Sequence, residues 1–479
     1  MAFMGLSFQE YWTPYNLFYS VFIFSWVVFF WDMYVACRQY KVYRTADKMP
    51  MELSGILDRE TFNKARLYSI DKSRYAIVHN IWSQILNSAI LLYDVMPKLW
   101  AVSGSILANY GYDSSYEILR TLLLSNLLML MSKAIELPWS IYFNFVVQEK
   151  HGFNRQTGWF FAKDKVKKLI METLLSSPVL VGILYIIKIG GDYFFLYLWA
   201  FVSLVGLFMM TIYPNLIAPI FDKYMPFPDG PLKEKINELA SSIKFPLTKI
   251  LVVEGSKRSS HSNAYVYGFF NNKRIVIFDT LMENPPSFSK NTTETDPKPQ
   301  DSEEQPLTSE PAETSKESER SSATPKNKKG CNDDEIVAIL GHELGHWKLN
   351  HALINVCIME VQLFITFLIF GLLYKDPTIY RAFGFSDEPL FIGLLVITQY
   401  IFAPYHEILG FLMTCRSRCN EFAADNFSKK LNKASDLRSA LIKLCADNLE
   451  FPIYDWLYST INHSHPPLLE RLQALGKID

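Results

Sequence analysis

Neither sign of charge prevails in this sequence: 47 lysines and arginines stand against 48 aspartates and glutamates in 479 residues, a formal net charge of −1. A chain so balanced lacks the basic surface that phosphate binding needs, and nucleic acid is excluded as a partner. Cysteine is scarce as well. The six present, Cys37, Cys331, Cys357, Cys415, Cys419 and Cys445, are scattered, three of them in or beside apolar runs where a thiol behaves as a small hydrophobe. That excludes a disulfide framework and points to a reducing compartment. Cys415 and Cys419 fall four apart, but no second pair accompanies them to complete a cysteine metal site. No repeat recurs at the usual periods. Ahead of the apolar run Leu17–Cys37 there is neither a basic stretch nor a small-residue cleavage site, so the run is expected to stay in place as a membrane span.

Hydrophobic side chains are abundant: they make up 49% of the chain, and 15% of residues are aromatic. They collect at 17–37, 78–100, 118–139, 169–189, 194–213, 352–374 and 390–412, each run near the ~20 residues that cross ~30 Å of hydrocarbon at ~1.5 Å per residue. The expected fold is mainly α: a polytopic membrane protein of seven transmembrane helices, with a small α+β portion. Polar residues inside these runs, such as Gln84, Asn87, Ser125, Asn126, Lys133 and Glu136, must face a partner helix or enclosed water rather than lipid.

Lysine and arginine concentrate after the first span, from Arg38 to Arg74, and after the third, from Lys150 to Lys168. Both segments are therefore expected on the cytoplasmic side and the N-terminus on the other. The same alternation puts 214–351 and everything after the seventh span on the cytoplasmic side, where the Asn291 sequon goes unused. The chain divides into a membrane region (1–213), a cytoplasmic-side segment (214–283), an insertion (284–332), a stretch with the sixth and seventh spans (333–412) and a C-terminal catalytic segment (413–479). Ser, Thr, Pro, Glu and Lys dominate the insertion, the composition of a disordered, solvated linker. Just before it, Ala264–Phe270 and Arg274–Phe278 flank Asn271-Asn272 as a β-hairpin.

GHELGH at 341–346 carries the chemistry. On a helix His342 and His346 lie ~40° apart, one above the other, so two imidazoles can hold one ion. Glu343, rotated ~100° from His342, reaches a water on that ion and is the natural general base. Zinc held by three protein ligands keeps a fourth position open and lowers the pKa of its water toward ~7. Glu421, in NEFAAD, is the best candidate for the third ligand, and Asp425 one turn later suits the fixing of a ligand histidine in its tautomer. Gly341 and Gly345 permit close helix packing around the motif. His351, about 180° round a continuous helix from His342, should not be a ligand. His79, His151, His261 and His406 read as packed or solvent-facing imidazoles, and Glu360 in the sixth span should face the interior. His465, held by Pro466-Pro467, could serve as the donor an oxyanion needs, or could be an ordinary turn histidine.

GHELGHWKLNH, NEFAAD and HSHPPLLERLQAL, together with QEKHGFNRQT at 148–157 and EGSKRSSHSNAYVYGFF at 254–270, resemble the CAAX prenyl protease 1 family over nearly the whole chain, most of all its animal members. The resemblance implies an integral-membrane zinc endopeptidase with one Zn2+ per chain, its seven spans enclosing an internal water-filled chamber and its α+β portion forming the zinc metallopeptidase site. Such an enzyme removes the last three residues from prenylated CAAX proteins, prelamin A-like substrates among them. It implies the endoplasmic reticulum and inner nuclear membranes. By motif it makes His342, His346 and Glu421 the zinc ligands, Glu343 the base and His465 the transition-state donor. Asn263, in HSNAY, falls at the family position beside the bound peptide, where an extended chain can add to a strand edge; a turn-capping role is the alternative. Two competing readings are a membrane quality-control metalloprotease and a channel or transporter with structural zinc. The latter needs a fourth protein ligand that the sequence does not offer.

Overall fold

The computed structural model describes residues 8–53, 57–113, 115–268, 272–286 and 329–476. Each expected apolar run lies on helix, in five to seven candidate spans. Five are single helices: Pro14–Thr45, Glu117–Gln148, Gly158–Ile189, Gly191–Phe221 and His351–Leu373. Two are bent pairs, Arg59–Leu92 with Val95–Asn109 at 62° and Leu390–Ile401 with Ala403–Lys430 at 56°, which make seven crossings if each pair counts as one. No more than 11% of any single-helix apolar window is buried, so few of these side chains are packed within the protein.

The breaks and starts have local causes. Asp94 adopts a left-handed conformation (φ 49°) between the halves of the second span. In the seventh, Pro404 opens the second half, where its missing donor costs nothing. Thr13 caps the first span, its hydroxyl accepting from Asn16 N at 3.2 Å, and Asp58 caps the second, accepting from Thr61 N at 2.7 Å.

The helices run well past the apolar windows. The second span extends back to Arg59 and the seventh on to Lys430, so Glu421 sits on the same helix as the span rather than in a separate segment.

A four-stranded sheet follows the fifth span: β1 (Tyr224–Pro226), β2 (Leu247–Val253), β3 (Ala264–Tyr267) and β4 (Lys273–Phe278), in the order β1-β2-β4-β3. β2 and β4 are parallel and the outer pairs antiparallel. The expected hairpin is thus β3–β4; its tip at 269–271 lies outside the described residues. β3 is an edge. Val252, Ile275, Ile277, Ile236 and Leu281 form one core with Ile336, Leu340 and Leu344 of the GHELGH helix (Asp333–Lys348).

The insertion expected at 284–332, with its Asn291 sequon, lies mostly outside the described residues, and its far boundary moves. Cys331 N donates to Leu281 O at 2.8 Å and Glu283 N to Cys331 O at 3.1 Å, so the chain leaves and returns at one point. Cys331 is buried, and Asn332 caps the GHELGH helix.

The segments after spans one and three lie at the same end as this core. Tyr43, Leu53, Leu57 and Phe62 pack with Ile442, Phe451 and Leu472 of the C-terminal part, and Asn154 bridges Ser259. At the opposite end a second core joins spans one to seven through Leu17, Trp100, Leu124, Ile187, Phe194, Phe370 and Ile392.

Candidate active site

The GHELGH helix begins with a capping box: Asn332 accepts from Glu335 N at 3.0 Å while Glu335 accepts from Asn332 N at 2.8 Å. The buried Glu335 is matched further by Lys443 at 2.8 Å and the Ser439 hydroxyl at 2.6 Å. With its start fixed, the helix lies against Ala403–Lys430 so closely that Gly341 and Gly345 are needed. A Cβ on Gly345 would stand 3.1 Å from Phe427 Cβ and 3.2 Å from Ala424 Cα, and one on Gly341 3.2 Å from the Ser428 hydroxyl. Ser428 crosses the seam, donating to Ala338 O at 3.1 Å.

This approach gathers three side chains from two helices. His342 Nε2 and His346 Nε2 are 3.1 Å apart, and Glu421 brings Oε1 to 3.2 Å from His346 Nε2 and Oε2 to 3.5 Å from His342 Nε2. An ion bonded tetrahedrally at ~2.0–2.2 Å separates its ligand atoms by roughly 3.3–3.6 Å, so the three atoms fit one. Among the described residues no other group of three such side chains converges, and Cys415 and Cys419 take no part.

The surroundings favour positive charge. His342 Nδ1 lies 2.8 Å from Asp425 Oδ1. Burial works against the His342 imidazolium, but its bonds to Asp425 and Glu421 outweigh that and raise the pKa to about 9. Asp425 is itself clamped by Arg471, whose Nε and Nη2 donate to its two oxygens at 2.8 and 2.6 Å. Arg471, which sequence reading missed, also stands 3.6 Å from Glu421.

Glu343, half-buried one residue after His342, has its carboxyl pushed above the ordinary range by burial. His465 turns Nδ1 to Glu421 Oε2 at 2.9 Å, and that bond raises its pKa. Its ring stays 69% exposed while Pro466 and Pro467 are buried, so the turn is anchored and the imidazole presented.

His351 corrects an expectation. A continuous helix would carry it to the far side; instead Asn350 takes a left-handed conformation (φ 56°), breaks the helix and starts a new one at His351. The His351 ring thereby returns to 2.9 Å from His346 Nδ1, behind the trio rather than in it. Asn263 is exposed immediately before edge strand β3, its side chain accepting from Ala264 N at 2.8 Å. Glu360 accepts from Trp199 Nε1 at 3.1 Å and from the Ser203 hydroxyl, facing the fifth span. The remaining histidines pair or stack: His79 with Glu136, His151 with Asp71, His261 on Phe153, His406 by Phe402 and His463 against Tyr454.

Residues 226–479 match the model of peptidase family M48, and residues 39–223 match that of the CAAX prenyl protease N-terminal region with five membrane helices. The chain belongs to this family. It is 50% identical over 462 residues to the CAAX prenyl protease 1 homologs of Mus musculus and Homo sapiens, covering 96% of this chain and 95% of each relative. It is 33% identical over 474 residues to CAAX prenyl protease 1 of Saccharomyces cerevisiae, covering 95% of this chain and 94% of that protein. The crystal structure of S. mikatae Ste24p superposes with a TM-score of 0.79 at 34% identity, covering 95% of this chain and 97% of that one. The M48 protein described here is therefore a multi-pass membrane metalloprotease.

Proposed function

We propose that this M48 protein is a zinc endopeptidase that removes the C-terminal tripeptide from prenylated CAAX proteins, prelamin A-like substrates included. The observation that carries this reading is the triangle of His342, His346 and Glu421, built where the sixth span begins and the seventh ends. The relatives named CAAX prenyl proteases supply the substrate class. A short isoprenoid holds its protein at the bilayer only weakly, which suits a site at membrane level.

In this reading His342, His346 and Glu421 hold one zinc ion, whose Lewis acidity lowers the pKa of bound water toward ~7. Glu343 accepts the proton released as the scissile carbonyl is attacked and returns it to the leaving amine. His465, fixed through Nδ1 by Glu421, offers Nε2 to the developing oxyanion. Asp425 holds His342 with Nε2 toward the metal. Asn263 and the open edge of β3 take the substrate in extended form by main-chain hydrogen bonds.

The charge distribution supports a lumenal N-terminus with the site on the cytoplasmic or nucleoplasmic side, and endoplasmic reticulum and inner nuclear membranes as the location. An internal wet chamber draws support from the exposed ion pairs Lys133–Glu172, at 2.7 Å, and His79–Glu136, at 3.1 Å, which join neighbouring spans and would be costly against lipid.

The test is mass spectrometry of farnesylated and unprenylated CAAX peptides after incubation with purified protein, with and without chelator. The farnesylated peptide should lose three residues, and chelator should stop this. Equal cleavage of both peptides would make the protein a generalist, and failure on both would end the proposal.

A further inference from the structure

The motif QEKHGFNRQT, outside the trio, meets EGSKRSSHSNAY directly upstream of β3. Asn154 bridges Ser259, Arg155 N donates to Arg258 O at 3.4 Å, and the Phe153 ring stacks on His261 at 4.2 Å. Tyr68 of the second span lies on the other face of Phe153, with ring centroids 4.8 Å apart, and the Lys72 ammonium sits 5.1 Å from the Tyr68 ring. Two stacked rings, Tyr68 and Phe153, thus link that ammonium to His261 in the segment leading into the edge strand.

Its charge is felt on both sides of the site. It depresses His261, where burial is the larger cause. It also contributes, behind burial, Arg418 and His465, to holding His463 at about 4. His261 lies two residues before Asn263, and His463 two before His465, so the Lys72 charge reaches residues beside both the entrance to β3 and the His465 turn.

Four neighbouring cations are occupied, Arg155 standing apart on the adjoining loop. Lys150 pairs with Asp71 at 2.7 Å, Lys257 with Glu254 at 2.7 Å, Arg418 with Glu470 at 2.7 Å, and Arg258 with both Asp164 and Asp222 at 3.0 and 2.6 Å. Lys72 is exposed and has no carboxylate within ion-pair distance among the described residues; Glu450 acts on it only from further off.

We propose that Lys72 receives the terminal carboxylate of the substrate peptide and so measures the three residues beyond the cleaved bond. This rests on the tripeptidase reading above. With the peptide antiparallel to β3, three extended residues reach ~10 Å past the scissile bond. The stretch from Ala264 back to His261 is also three residues, so the carboxylate arrives near His261, at the end of the Phe153–Tyr68 ring stack that carries the Lys72 ammonium. A charged hydrogen bond of this kind is strong enough to change binding by on the order of tenfold or more.

The test uses the full-length protein with a farnesylated CAAX peptide carrying either a free C-terminal acid or a carboxamide. Wild type should favour the acid by about tenfold or more in kcat/KM, through KM. In Lys72→Gln the acid-to-amide ratio should fall to about one with zinc content and Tm retained, and Lys72→Arg should restore it. A wild-type ratio already near one would overturn the inference without any variant. So would a Lys72→Gln protein with the wild-type ratio, or a ratio that collapses only in Arg155→Gln, the exposed cation on the adjoining loop. Failure of wild type to release the tripeptide from the acid would instead reject the functional reading itself.

Discussion

Arg471 holds Asp425 by two parallel hydrogen bonds, Nε to Oδ2 at 2.8 Å and Nη2 to Oδ1 at 2.6 Å, and Asp425 passes that rigidity to His342 through its 2.8 Å contact with Nδ1. Removing the guanidinium leaves a buried carboxylate free to rotate away from the imidazole. Arg471→Ala should therefore weaken zinc binding by about 10–100-fold, with activity recovering at raised zinc. Lysine, a point charge without the planar fork, should rescue poorly. Chelator competition measures the effect, and an Arg471→Ala protein with wild-type zinc affinity would remove Arg471 from the site's support.

Gly345 sets the distance between the two ligand-bearing helices, with Phe427 Cβ at 3.1 Å and Ala424 Cα at 3.2 Å from where a side chain would begin. Gly345→Val must push the helix of Glu421 outward, at a cost of about 1–3 kcal/mol typical of overpacking. Thermal unfolding should come earlier and zinc bind more weakly. Gly410, on the same helix with nothing within 4 Å, is the control: Gly410→Ala should change neither.

The spans and the trio were legible because each depends on a local pattern, run length in one case and i, i+4 spacing in the other, with NEFAAD supplying the carboxylate. The bends were less so: Asp94 and Pro404 mark them, but a hydropathy window averages across such residues. His351 was misplaced because the helix was taken as continuous, although Asn350 is a residue type that tolerates the left-handed conformation ending it. Arg471 had no signal of its own. Its partner is 46 residues away, and pairing at that range follows from tertiary packing alone.

Glu343 and Glu421 are both acidic and both near the paired imidazoles, yet their losses should differ. Glu421 supplies an atom of the triangle, so Glu421→Ala should lose zinc and cleavage together. Glu343 has no place in the triangle, and Glu343→Gln should keep stoichiometric zinc while cleavage falls below detection. Metal analysis beside the peptide assay separates the two. Full zinc in Glu421→Ala, or near-normal turnover in Glu343→Gln, would reverse the assignments.

His465 is the one imidazole of the site that combines a fixed nitrogen with an exposed one: Nδ1 is 2.9 Å from Glu421 Oε2, and the rest of the ring is open. A donor aimed at charge that develops only during reaction should act on kcat and leave ground-state binding alone. His465→Ala is therefore expected to lower kcat by roughly 10²–10³, the usual cost of one oxyanion donor, with KM and zinc content close to wild type. The alternative is that the ring merely steadies Glu421. In that case the variant would lose zinc along with activity, and added metal would restore turnover. Steady-state kinetics at increasing zinc distinguishes these, because a missing transition-state donor cannot be replaced by more metal.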